Sequence, residues 1–162
     1  VLAKGSRRCF FWVFVFVMLW YDKGMIDINQ TQEKALGELA NKYDLKLIIL
    51  FGSQVNGRIH QESDYDIAFL SNRELSLSEQ SGFGEGLMPI LRIKDERLVN
   101  IVDMKTAGPL MLYSITSKGK VLFERKPSFF LSLKLYAWKV FIDTQSFRDN
   151  YFRIVKERVY KM

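Results

Sequence analysis

The feature that most constrains this chain is a glycine-serine pair followed, ten residues on, by an acidic triplet: Gly52-Ser53, then Asp64-Tyr65-Asp66. The pair ends an apolar run, Leu45 to Phe51 (LKLIILF), and the triplet opens a second, Asp64 to Leu70. Both runs have the length and composition of buried strands. Side chains alternate faces along a strand, so Asp64 and Asp66 are expected on the same side, roughly 6–7 Å apart. At that separation two carboxylates can converge on a pair of divalent cations. Glycine allows a sharp turn where the first strand ends, and Ser53 offers a hydroxyl and an amide to a phosphate.

Other residue counts narrow the chemistry. A chain of 162 residues is one domain by length, with room for a sizeable core. Its single cysteine, Cys9, and single histidine, His60, exclude an internal disulfide and a cysteine-based zinc site. Any metal is therefore held by oxygen, which favours Mg²⁺ or Mn²⁺. The net charge of +6 is concentrated at the two ends, in residues 1–24 and 148–162, and the middle is close to neutral. That distribution gives no focused basic stripe around the Gly52–Asp66 segment, so no specific nucleic-acid partner is expected.

The amino terminus is unusual. Cys9 to Tyr21 is an uncharged, aromatic-rich run of 13 residues behind Lys4, Arg7 and Arg8. It falls short of the roughly 20 residues that a membrane-spanning helix needs. The reading adopted is that Met25 is the native start and that residues 1–24 are an extension outside the domain. A short membrane-surface anchor is the alternative.

From Met25 onward the pattern alternates helices and strands. Asn29 and Gln32 form a capping pair for a helix ending near Tyr43, with Ala35, Leu36, Leu39 and Ala40 as its apolar stripe. After the two strands, a weak helix is expected within 75–92, interrupted by Gly82-Phe-Gly-Glu-Gly86. That cluster fails the dinucleotide pattern because position 87 is Leu, and a flexible loop is expected there. A third strand is read at Arg97–Met104, a helix at Pro109–Ser117 stopped by Gly119, and an edge strand at Lys120–Glu124. Residues 128–162 read as one or two helices rich in aromatics. Those rings either pack on the sheet or dock a partner protein.

The segment LIILFGSQVNGRIHQESDYDIAFL resembles the active-site hairpin of the DNA polymerase β nucleotidyltransferase superfamily, and its minimal, MNT-type members most closely. The likeness continues through IVDMKTAGPLMLYSITSKGKVLFER and covers about Met25 to Met162. It implies an α/β (α+β) fold with a small mixed sheet packed against helices: a nucleotidyltransferase domain over 25–126 and a helical segment over 127–162. It also implies a cytoplasmic protein adenylyltransferase. The enzyme would use ATP and two Mg²⁺ (or Mn²⁺) ions to transfer AMP to a tyrosine of a HEPN-domain ribonuclease toxin, and so act as its antitoxin. On this likeness Asp64 and Asp66 ligate metal, and Gly52 and Ser53 hold phosphates.

The sequence departs from the family pattern at two places. Gln54 and Asn56 stand where arginines are usual in the turn, with Arg58 nearest. The strand that commonly carries two acids reads Val99-Asn100-Ile101-Val102-Asp103-Met104. If the third metal-ligating acid belongs to the first position it has become Asn100; Asp103 is the remaining carboxylate and the candidate for that third place. Alternation puts the two on opposite faces. These departures keep open an antitoxin that works by occlusion with little catalysis, and a third alternative is a small-molecule nucleotidyltransferase of the aminoglycoside-modifying kind. The short chain argues against the latter.

Overall fold

Two reciprocal bonds start the first helix, α1 (Gln30–Lys42). The Asn29 side chain accepts from the Gln32 amide at 2.8 Å, and Gln32 Oε1 accepts from the Asn29 amide at 3.1 Å. Both amides would otherwise be left to water at an uncapped helix start. The computed structural model of this protein describes residues 28–55 and 64–160. The amino-terminal run and the loop holding His60 lie outside the described residues.

The apolar runs form a four-stranded sheet: β1 (Leu45–Phe51), β2 (Tyr65–Ser71), β3 (Val99–Asp103) and β4 (Lys120–Glu124), in the order β3-β2-β1-β4. β1 is antiparallel to β2 and β4, whereas β2 and β3 run parallel. A parallel pair needs a long crossover, and α2 (Leu77–Leu91) supplies it. α3 (Pro109–Lys118) leads into β4, and α4 (Phe129–Asp143) and α5 (Gln145–Val159) complete the chain.

Strand alternation divides the core into two layers. Ile48, Leu50, Ile67 and Phe69 face Leu36 and Ala40 of α1 and Phe83 and Leu87 of α2. Leu47, Ile49, Phe51 and Ala68 face Leu112 and Ile115 of α3 and Phe130 and Ala137 of α4. The sheet is thus sandwiched between helix pairs, and burial of each large aliphatic side chain contributes about 1.5–3 kcal/mol.

The glycine cluster is helical, which corrects the loop expected from sequence. α2 runs unbroken through Gly82, Gly84 and Gly86. Its start is held by a Ser76–Glu79 capping box, with Arg73 paired to Glu79. The glycines recur because neighbours come close: a Cβ on Gly82 would lie 2.8 Å from the Tyr43 hydroxyl, and one on Gly86 would lie 2.6 Å from Leu39 Cδ1. A Cβ on Gly84 would meet Ile101 at 3.4 Å.

The carboxy-terminal aromatics are partly buried and partly exposed. α4 buries Phe130 and Ala137, and the Glu124 side chain accepts from the Phe130 amide at 2.7 Å. At its far end Tyr113 stacks on Phe141 with centroids 4.2 Å apart, and Arg148 lies over the same ring at 3.9 Å. α5 buries nothing, and Phe147, Tyr151, Phe152 and Val159 are exposed.

Candidate active site

The site lies where β1 ends and β2 begins. Phe51 pairs with Asp66 across the two strands, and the next residue, Gly52, turns the chain with φ +76° into a 3-10 turn over Gly52–Gln54. Only glycine adopts that conformation without cost. Its second requirement is spatial: a Cβ on Gly52 would sit 2.9 Å from Asp66 Cγ and closer still to Oδ2. The turn therefore passes directly against the Asp66 carboxylate. Ser53 follows in the same turn, half-buried.

Asp66 belongs to the face of β2 shared by Ala68, toward α3 and α4, because side chains two apart share a face. Asp64 stands just before β2 and is exposed. Parallel pairing with β3 sets Asn100 opposite Asp66, and Asn100 Nδ2 donates to Asp66 Oδ1 at 3.3 Å.

Asp103, the sequence-based candidate for a third acid, is not brought to this cluster. It is in register with Phe69, three residues along, which is about 10 Å of strand. An odd offset also puts it on the opposite face from Asn100. Its carboxylate instead accepts from the Lys105 amide at 2.9 Å, closing the turn after β3. The position facing Asp66 is thus held by an amide. Among the described residues no three His, Cys, Asp or Glu side chains are grouped to hold a metal ion. The carboxylates of Asp64 and Asp66 are hard oxygen donors of the kind that suit Mg²⁺ or Mn²⁺, whereas Asn100 turns its amide nitrogen toward Asp66. The place a Gly52 Cβ would fill is taken up by the Asp66 carboxylate.

One contact was beyond sequence reasoning: the approach of Gly52 to Asp66. Sequence reading explains this glycine by its turn alone. The two residues are 14 apart in the chain, and only the β1–β2 register brings them together.

A glycine-serine turn packed against an acid on the neighbouring strand of a small mixed sheet is the arrangement expected of a nucleotidyl-transferring domain. The family model described as "Polymerase beta, Nucleotidyltransferase" matches residues 33–128, more than half the chain. This chain belongs to the polymerase β nucleotidyltransferase family. It is 30% identical over 104 residues to the protein adenylyltransferase MntA of Aphanizomenon flos-aquae (strain 2012/KM1/D3), covering 60% of this chain and 69% of that protein. The fold also matches a chain in a toxin–antitoxin crystal structure with AMP-PNP, with TM-score 0.63, 24% identity, and coverage of 76% of this chain and 98% of that one. A second match is to a chain in the complex of a tri-AMPylated Shewanella oneidensis HEPN toxin with its MNT antitoxin. Its TM-score is 0.59 at 22% identity, covering 78% of this chain and 98% of that one.

Proposed function

We propose that this protein is an adenylyltransferase antitoxin that transfers AMP from ATP to a tyrosine of a HEPN-type ribonuclease toxin. The observation that carries this reading is the Gly52 turn packed against Asp66, within a chain related to a protein adenylyltransferase.

In the reaction the acceptor hydroxyl oxygen bonds to the α-phosphorus of ATP, and the bond from that phosphorus to the bridging oxygen breaks. Pyrophosphate departs, and the hydroxyl proton passes to solvent. Positioning and neutralisation of charge supply most of the acceleration in such displacements. Asp64 and Asp66 would hold divalent cations, which when bound draw charge from the attacking and leaving oxygens. The Ser53 hydroxyl and the amides of the turn are suited to the β- and γ-phosphates, and the missing Cβ at Gly52 lets the turn pass against Asp66. Asn100 orients Asp66 but, as an amide, accepts no proton. Asp103 is left to its turn. No helix among the described residues is long and apolar enough to cross a membrane.

A second reading, neutralisation by occlusion, is favoured by Asn100, because a neutral side chain stands beside Asp66. Incubating the protein with the HEPN partner, Mg²⁺ and labelled ATP separates the two. AMP on a toxin tyrosine, reduced at least about a hundredfold by Asp64→Ala with Asp66→Ala, supports transfer. Toxin neutralised equally by the double variant, with no label incorporated, supports occlusion.

A further inference from the structure

The first turn of α3 and the junction of α4 with α5 border a hollow of about 680 Å³. Its walls are mostly apolar: Pro109, Leu110 and Met111 from α3 and Phe147 from α5, with Thr144 and Arg148 at the junction. It shares no residue with the Gly52–Asp66 site. Arg148 is the charged group in this wall, half-buried and fixed in place. Its guanidinium lies over the Phe141 ring at 3.9 Å, and Nη1 donates to the Phe141 carbonyl at 2.7 Å and to Thr144 Oγ1 at 2.5 Å. Among the described residues, Nε and Nη2 donate to nothing and no carboxylate pairs with this cation. Asp143 is paired with Lys139 instead. The Nε–Nη2 edge is one that grips a carboxylate with two parallel hydrogen bonds.

From this geometry we infer that the hollow binds a small-molecule monocarboxylate with a hydrocarbon tail. The acid group sits on the Nε–Nη2 edge of Arg148, and the tail lies against Leu110, Met111 and Phe147. A volume of this size with apolar walls and one oriented polar group has the proportions of a ligand site. Each half of the ligand follows from what faces it. Guanidinium donors left unmet beside apolar walls cost free energy that an anion recovers. One fixed cation balances a single negative charge, so a carboxylate suits it better than a phosphate dianion. The rest of the wall is mainly hydrocarbon, which favours a tail over a polar body. A ligand held this way bridges α3 to α5, a helix that buries none of its own residues, and stabilises the folded chain. The inference is independent of nucleotidyl transfer.

The test is calorimetric titration of the full chain with decanoate, and with decanol as its uncharged counterpart, alongside thermal denaturation with each. Decanoate is expected to saturate at one per chain, to raise the melting temperature, and to bind about tenfold or more tighter than decanol, because only the acid forms charge-assisted hydrogen bonds. Arg148→Gln should weaken decanoate about tenfold or more and leave decanol unchanged. Because Arg148 also ties α5 to the end of α4, a second variant guards against loss of that junction. Leu110→Glu places a carboxylate at an exposed position of the wall, and should repel decanoate at an unchanged melting temperature of the free protein. Three results would each overturn the inference: no saturable binding of decanoate, decanol bound as tightly as decanoate, or decanoate affinity within about twofold of wild type in both variants.

Discussion

Replacing Gly52 with alanine tests the closest contact in the site, and its effect can be worked from geometry. At φ +76° an L-residue bears a conformational cost of about 1–2 kcal/mol. The new methyl would also sit 2.9 Å from Asp66 Cγ and closer to Oδ2, so the carboxylate must rotate away from the turn. Asp66 is half-buried, so it has solvent to swing into, and the clash should add no more than about 1 kcal/mol. The sum, about 1–3 kcal/mol, corresponds to a fall in melting temperature of roughly 2–12 °C for a domain of this size. The displaced carboxylate should also lower transfer about a hundredfold. Gly37→Ala is the matched control. Gly37 lies within α1 with nothing within 4 Å of its added Cβ, and alanine there should stabilise by about 0.5–1 kcal/mol. The assay is thermal denaturation of both variants, with Mn²⁺ titration of Gly52→Ala. Gly52→Ala melting and binding Mn²⁺ like the wild type would refute the packing argument.

Two further outcomes can be checked by denaturation. Gly119→Ala places a methyl 2.5 Å from Ile49 Cγ2 and against the Ile115 carbonyl, which should cost about 1–3 kcal/mol by overpacking the junction of α3 and β4; a stability equal to wild type would contradict it. The Arg73 guanidinium, together with Ser76, holds the Glu79 carboxyl down from its ordinary 4.5 to about 2. A depressed carboxyl stabilises the fold above its unfolded value, and that contribution is lost as pH falls from about 4.5 toward about 2. Chemical denaturation across that range should show stability declining with acid, and a shallower decline in Arg73→Ala; identical slopes would count against the pair.

How far the sequence disclosed this structure depended on the range of the interaction responsible. The Asn29–Gln32 cap and the apolar run at 45–51 are local, and residues three apart or two apart carry the whole signal. The helical glycines of α2 misled because their local propensity points to a loop, whereas their cause lies in Tyr43 and Leu39, some forty residues away. Asp103 and Asn100 illustrate the same limit. Alternation showed that they face opposite ways, but only the β2–β3 register shows which one meets Asp66. α5 carries aromatics in a pattern that suits a buried helix, yet its burial depends on what lies beside it, and that is not written in its own residues.

The outermost position of β3 has a consequence for how this active centre can change over generations. Asparagine and aspartate codons differ by one base, and a strand with a neighbour on only one side lets either be exchanged without repacking the interior. On the proposed function, catalytic strength could change at this point while structural integrity does not. A lineage could move between a vigorous modifier and a quiet one by a single nucleotide while its scaffold stays the same.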